Sequence, residues 1–227
     1  MPTYSGPKRA GKENLIFALD AADKNSYPGS GTAWTNLAGP YNGTLTNGPT
    51  YSSENGGLIV FDGTDDYIQT ALVMPSPSTV STTYEVSFFP LVDSYNYRGL
   101  IGYSGYPNNG FSLGLHYGSS LFLQSFNGGS PNISYLSSVI DLTIPHTVCA
   151  TLNGRNLAIY SNGILLNSTT ISFDIAASAG SIKIGGYVQG GWGSSNIRLY
   201  QARVYNKALT PQEILQNYNA TKTRFVL

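Results

Sequence analysis

The sequence contains few charged residues. Only 11% of its 227 residues are charged, and 12 basic residues balance 12 acidic ones, so the net charge at pH 7 is zero. Globular domains usually have about a quarter of their residues charged. A chain without excess positive charge has no field to attract nucleic acid or an acidic membrane surface. We therefore expect neither nucleic acid nor membrane as a partner.

Cysteine and long apolar runs are also scarce. The single cysteine, Cys149, excludes an internal disulfide, and its apolar surroundings predict a small core side chain rather than a nucleophile. No apolar run approaches the roughly 20 residues needed to span a membrane. The N-terminal residues lack the hydrophobic region of a secretory signal peptide. We expect a protein made in the cytoplasm.

What the sequence has instead is 26 glycines, 17 tyrosines and many serines, threonines and asparagines. These residues predict a surface of hydroxyl and amide groups. Such a surface gives little charge repulsion between molecules, which favours a protein fixed in an assembly or a homo-oligomer.

Short apolar runs separated by turn signals predict the fold class. About a dozen short strands, with Asn-Gly steps at Asn153 and Asn162 as hairpin turns, indicate an all-β antiparallel sandwich of two sheets. We expect residues 1–13 to form an extended arm and residues 14–227 a single domain.

The last strand and a single helix close this domain. Strict alternation over residues 197–205 predicts that Ile197, Leu199, Gln201, Arg203 and Tyr205 share one face. A capping box over residues 210–213, with proline at the first helical position, predicts a short helix over residues 211–219.

An acidic turn follows the most apolar strand. Residues 58–61 read as a strand buried on both faces, and Asp62-Gly63 then signals a tight turn. Asp62, Asp65 and Asp66 place three carboxylates at this strand end. They either accept hydrogen bonds within the turn or bind a hard cation.

Several segments together resemble the laminin-G-like, concanavalin A-like jelly rolls. They are residues 19–22, 27–34, 43–51, 61–67, 146–151 and 158–163, and residues 197–220 are similar to the ends of structural proteins from tailed bacteriophages that carry this domain. The resemblance covers roughly residues 14–227. It implies a jelly-roll sandwich and, through Asp62, Asp65 and Asp66, a possible Ca²⁺ site at a sheet rim. The alternative is that Asp62 only caps the turn while the other two are solvated.

The sequence contains no recognisable set of catalytic residues. Glycoside hydrolysis needs two facing carboxylates, and the Glu-x-Asp-x-x-Glu strand of the family's glucanases is absent. Glu85 stands alone on its strand. Two separated histidines and one cysteine do not make a zinc site. We therefore predict a protein that is not an enzyme and requires no cofactor.

Aromatic residues in predicted loops are candidates for glycan contact, because sugar rings stack on aromatic faces while their hydroxyls need polar partners. The candidates are Tyr103, Tyr106, Tyr187, Gln189 and Trp192. The glycine-rich segment 185–193 is the best single candidate. The alternatives are that Trp192 packs beneath its own loop, or that these aromatics form a protein–protein contact.

The leading functional hypothesis is a non-enzymatic structural or decoration protein in the virion of a tailed phage, in its capsid, neck or fibre. It would attach to other virion proteins through the arm or an oligomer interface. The alternative is a carbohydrate-binding adhesion module that recognises host surface glycans.

Overall fold

The structure is a computed structural model that describes residues 12–73, 81–91, 97–104, 109–117, 120–127, 133–175, 180–186 and 193–224. Within these ranges the chain forms strands and one α-helix, α1 (Pro211–Thr221). The strands are β1 (Leu15–Asp20), β2 (Ala33–Trp34), β3 (Gly43–Thr46), β4 (Thr50–Ser52), β5 (Leu58–Asp62), β6 (Tyr67–Val73), β7 (Thr82–Pro90), β8 (Tyr97–Ser104), β9 (Asn109–His116), β10 (Ser120–Asn127), β11 (Ile133–Val139), β12 (His146–Asn153), β13 (Asn156–Ser161), β14 (Ile164–Thr170), β15 (Ser181–Ile184), β16 (Gly193–Ser194) and β17 (Asn196–Tyr205).

The strands form two sheets. Sheet A has the order β14-β13-β12-β7-β17-β5-β4, with β1 paired to β17, and sheet B has the order β11-β10-β9-β8-β15-β6-β3-β2. The short β16 pairs parallel with β8, and the other pairings are antiparallel. The predicted antiparallel two-sheet sandwich is confirmed.

The core lies between the two sheets, and β5 shows how the sequence builds it. Ile59 and Phe61 point into the main core and are fully buried. Leu58 points to the other face and packs against Tyr200. Each such side chain contributes about 1.5–3 kcal/mol by leaving water. The predicted burial on both faces is therefore observed, with Val60 half-buried.

Both predicted hairpins are present. β12 and β13 are joined through Gly154, whose φ is +59°, and β13 and β14 through Asn162 and Gly163, with φ of +51° and +82°. Two consecutive residues with positive φ are the requirement of a type I′ turn, and Asn-Gly meets it at low cost.

The predicted capping box starts α1. The Thr210 hydroxyl accepts a hydrogen bond from the Glu213 amide, and the Glu213 carboxylate accepts one from the Thr210 amide. The helix runs two residues beyond the prediction, to Thr221. It buries Ile214 and Asn217 against the outer face of sheet A. No helix among the described residues is long and apolar enough to cross a membrane.

One pattern-based prediction is wrong. A β-bulge lies between Leu199 and Gln201 in the pairing of β17 with β7. It shifts the alternation by one residue, so Leu199 faces the core whereas Gln201 and Arg203 face outward. A bulge places two residues opposite one, which period-two reasoning cannot anticipate.

The predicted N-terminal arm lies almost entirely outside the described residues. Its last two residues, Lys12 and Glu13, form a single 3-10 turn with Asn14 that leads into β1. The boundaries of the arm and of the domain stay predictions.

Candidate functional site

The outer face of sheet A holds a buried polar network beneath α1. Arg203 donates hydrogen bonds to the carboxylate of Glu85 and to the side-chain oxygen of Gln201. Asn217 of α1 donates to the second Glu85 oxygen at 3.2 Å and to the Tyr205 hydroxyl at 3.1 Å. Glu85 and Arg203 are each 1% exposed. From the sequence, Glu85 has no predicted partner on its strand, whereas in the fold each of its carboxylate oxygens accepts a hydrogen bond.

Cys149 lies beside this network, with its sulfur 4.0 Å from Glu85 Oε2. Burial raises the pKa of the thiol well above its ordinary value, and the Glu85 charge adds to the shift. Because the thiolate is the reactive form, Cys149 is an unreactive core residue in the folded protein, as its sequence context predicted.

The acidic turn at the end of β5 brings its three carboxylates together. Candidate ligand atoms of Asp62, Asp65 and Asp66 lie within 4.8 Å of one another. Asp62 Oδ1 accepts a hydrogen bond from the Thr64 amide at 2.7 Å, and Asp66 Oδ2 accepts one from the Asp62 amide at 3.0 Å. Burial raises the pKa of Asp66, and the neighbouring charges of Asp62 and Asp65 add to the shift. Hydrogen bonding within the turn is therefore present, and it uses one carboxylate oxygen of Asp62 and one of Asp66.

Calcium binding at this turn has a direct test. Ca²⁺ takes six to eight oxygens, of which this trio supplies a part. If the turn binds Ca²⁺, adding the ion at a hundred times its Kd stabilises the fold by about 2.7 kcal/mol. In that case the melting temperature rises by several degrees in wild type when Ca²⁺ is added. It stays constant in Asp65→Asn, which keeps the hydrogen bonds from the Thr64 and Asp62 amides. A wild-type melting temperature that ignores both Ca²⁺ and EDTA leaves turn chemistry as the sole role.

The sequence-predicted glycan residues divide into two groups. Tyr106, Tyr187, Gln189 and Trp192 lie outside the described residues. Tyr103 is described, and its ring is in the core at 1% exposure. Its expected place on an exposed loop is corrected, because Tyr103 lies within β8 opposite Phe111 and faces the opposing sheet.

A groove of about 540 Å³ crosses β12, β13 and β14 on the outer face of sheet A. The register places Thr151, Ala158 and Ser168 side by side across the three strands, which forms its floor. The segment that leads into α1 forms one wall. The lining residues are Thr151, Asn153, Asn156, Leu157, Ala158, Tyr160, Ser168, Thr169, Thr170, Ala208, Leu209, Thr210 and Pro211. We call it the β12–β14 groove.

The β12–β14 groove mixes polar and apolar surface without charge. None of the described residues that line it is acidic or basic, and most of them carry a hydroxyl or an amide. Two cations lie next to it in sequence, and both are paired: Arg155 with Asp174 at 2.8 Å, and Lys207 with Glu213 at 2.7 Å. The groove therefore offers hydrogen bonds rather than a net charge to a ligand.

The fold and these sites can be compared with known proteins. The family model Laminin_G_3, described as the concanavalin A-like lectin/glucanases superfamily, matches residues 62–215. The chain belongs to this superfamily. The match begins at Asp62 of the acidic turn and includes the whole β12–β14 groove. We find no match among curated proteins.

Solved structures share the superfamily fold at low sequence identity. The binding domain of Paraclostridial Mosquitocidal Protein 1 is 17% identical with a TM-score of 0.70, covering 92% of this chain and 52% of that one. The binding domain of Botulinum Neurotoxin DC, in complex with SialylT, is 14% identical with a TM-score of 0.68, covering 93% and 52%. Domain 4 of AbnA, a GH43 extracellular arabinanase from Geobacillus stearothermophilus, in complex with arabinotriose, is 18% identical with a TM-score of 0.67, covering 90% and 98%.

These likenesses establish the fold. The chain spans about half the length of the two toxin domains and nearly all of the arabinanase domain. A superfamily fold hosts many functions, so function has to be argued from the site.

Proposed function

We propose that the protein is a non-enzymatic module that binds neutral carbohydrate in the β12–β14 groove. The observation that carries this proposal is the uncharged hydroxyl- and amide-rich lining of that groove. A sugar presents hydroxyls that both donate and accept hydrogen bonds, and threonine, serine and asparagine side chains match both roles.

The groove also offers apolar contact. Ala208 and Pro211 line the wall beside the polar floor, whereas Leu209 and Tyr160, at 4% and 6% exposure, add little surface. Ligand sites combine apolar surface with a few placed polar groups, because the apolar contacts supply affinity while the polar groups set orientation. A short stretch of a neutral oligosaccharide fits this combination.

Electrostatics favours a neutral over an acidic glycan. A carboxylated sugar is normally held by an arginine or lysine, and here Arg155 and Lys207 are already paired with carboxylates. We therefore expect neutral oligosaccharides to bind more tightly than sialylated ones.

The comparisons support a carbohydrate ligand without specifying it. The arabinanase domain was solved with arabinotriose, and a second neighbour is a sialidase in complex with sialic acid. The virion attachment expected from the sequence stays a prediction. It is compatible with glycan binding, since a fibre component also contacts a host surface.

A glycan array that contains neutral and sialylated oligosaccharides tests the proposal. We expect a neutral hit whose affinity falls at least about tenfold in Ser168→Arg, because a long charged side chain on the groove floor blocks it and costs 1.4 kcal/mol or more. Asn156→Ala is expected to cost about two- to tenfold, the worth of an uncharged hydrogen bond.

Thr44→Arg is the matched control, because Thr44 is an exposed strand residue of sheet B and receives the same new side chain. It should leave binding unchanged. A blank array, or a neutral oligosaccharide that still shifts the backbone amide signals of Thr151 and Ala158 in Ser168→Arg, would overturn the groove as the binding site.

A further inference from the structure

Four aromatic rings lie together on the outer face of sheet B, the sheet opposite the β12–β14 groove. Tyr97 stacks on His116 with ring centroids 4.5 Å apart and an interplanar angle of 23°. Tyr97 also meets Phe122 at 5.3 Å, and His116 meets Tyr117 at 4.3 Å. We call these residues, Tyr97, His116, Tyr117 and Phe122, the aromatic ladder.

Strand register explains why these rings meet. Tyr97 of β8 is directly opposite His116 of β9, and Phe122 of β10 is opposite Gly114. Gly114 is in turn opposite Gly99 of β8. The two glycines share the face of Phe122 and carry no side chain, so the rings of Tyr97 and His116 can close over Phe122 and leave it 6% exposed.

Tyr117 ends the ladder in an unusual conformation. Its φ is +48°, a left-handed value that L-residues other than asparagine and aspartate rarely adopt. Its side chain is 61% exposed. Glycine would adopt this backbone without strain and would not expose a ring to water. A strained, exposed tyrosine whose ring packs at a tilt of 51° against His116 indicates a use for its exposed surface.

Polar side chains border the ladder. Ser120 is opposite His116, and Ser137 is opposite Phe122, so both hydroxyls share the ladder's face of the sheet. Ring faces next to hydroxyls are the arrangement that a pyranose or furanose ring needs, since its C–H face stacks while its hydroxyls bond. The zero net charge of the chain argues against an anionic stacking ligand such as a nucleic acid.

We propose that the aromatic ladder is a second binding site for neutral sugar, with Tyr117 as its exposed stacking residue. This inference rests on the proposed function, because it extends the same ligand class to the opposite sheet. Two sites on opposite faces of one sandwich let a single domain bridge two glycan chains, or bind one surface with added avidity.

Site-resolved NMR titration separates the two sites. ¹⁵N-labelled protein is titrated with arabinotriose, maltotriose and cellotriose while backbone amides near Tyr117 and Phe122, and near Ala158 and Ser168, are followed. We expect the two groups of amides to shift with independent dissociation constants. Tyr117→Gly should weaken binding at the ladder by about two- to tenfold, the worth of one stacked ring, and leave the groove amides unaffected.

The variants distinguish stacking from damage to the fold. Tyr117→Gly should keep or raise the melting temperature because it removes the left-handed strain, and Tyr117→Trp should retain binding. Tyr41→Ala, which truncates a tyrosine that is 44% exposed elsewhere, is the control and should change neither site.

Shifts confined to the groove overturn this inference and leave the proposed function standing. Shifts at neither site with all three sugars overturn both, and shifts only at the ladder sustain this inference against the groove.

Discussion

Replacing Arg203 by alanine is expected to lower the free energy of unfolding by about 3–5 kcal/mol. Glu85 and Arg203 are each 1% exposed, so removing the guanidinium leaves a buried carboxylate without its cation. Asn217 of α1 bonds that same carboxylate, so the loss also weakens the docking of the helix. Urea denaturation measures the change through the midpoint at a constant slope.

Two controls show that burial is the cause. Arg155 donates hydrogen bonds to both oxygens of Asp174, yet these side chains are 49% and 54% exposed, and Arg155→Ala should cost at most about 1 kcal/mol. The double variant Glu85→Leu with Arg203→Met removes both charges and should recover much of the loss, since an apolar pair leaves no charge unpaired. Equal losses in Arg203→Ala and Arg155→Ala would contradict this account.

The reactivity of the Cys149 thiol also reports whether α1 stays docked in Arg203→Ala. Its thiol is 1% exposed and lies against the network under α1. In wild type it should react with a thiol reagent only as fast as the protein opens, and in Arg203→Ala the reaction should accelerate. Thiol reactivity unchanged in the variant would mean that α1 stays docked without the ion pair.

Local signals in this sequence predicted local structure well. The Asn162-Gly163 turn, the capping box at Thr210 and the acidic turn at Asp62 each depend on residues within a few positions of one another, and each is present. Fold class followed from the spacing of apolar runs, because a two-sheet sandwich repeats the same strand-and-turn pattern many times.

Contacts between residues far apart in the chain could not be predicted from such local signals. Glu85 and Arg203 are 118 positions apart, and the bulge after Leu199 is what turns Arg203 outward to meet Glu85. Without the bulge, alternation placed Arg203 with Leu199 on the core side. A sequence signal did exist, since an arginine and a glutamate in two apolar strands each need a partner when buried.

The β12–β14 groove escaped prediction for a related reason. Its floor needs the cross-strand register of Thr151, Ala158 and Ser168, and its wall, residues 208–211, follows β14 in the chain only after β15, β16 and β17. The aromatic residues that the sequence places in predicted loops are a stronger local signal than this register. The exposed tyrosine that the structure does place beside other rings is Tyr117, whose left-handed backbone has no sequence signature.

Replacing Gly185 by alanine is expected to destabilise the protein by roughly 2–4 kcal/mol. Its φ is +83°, and an added Cβ would lie 2.4 Å from Cε1 of Phe61, a fully buried ring. Left-handed strain and the displacement of Phe61 therefore act together. Phe61 immediately precedes Asp62, so the acidic turn should be disturbed as well. The melting temperature should fall by roughly 5–15 °C for a chain of this size.

Gly154→Ala separates the two causes. Gly154 has a φ of +59°, and nothing lies within 4 Å of its added Cβ, so only the left-handed strain applies. We expect a loss of about 1 kcal/mol there, and the difference between the two variants measures the displacement of the Phe61 ring. If both variants lose the same stability, the ring yields without cost and the core beside the acidic turn is loosely packed. A larger loss in Gly185→Ala, with a changed near-ultraviolet circular dichroism signal, shows that tight packing against Phe61 fixes the end of β5 and hence the position of Asp62.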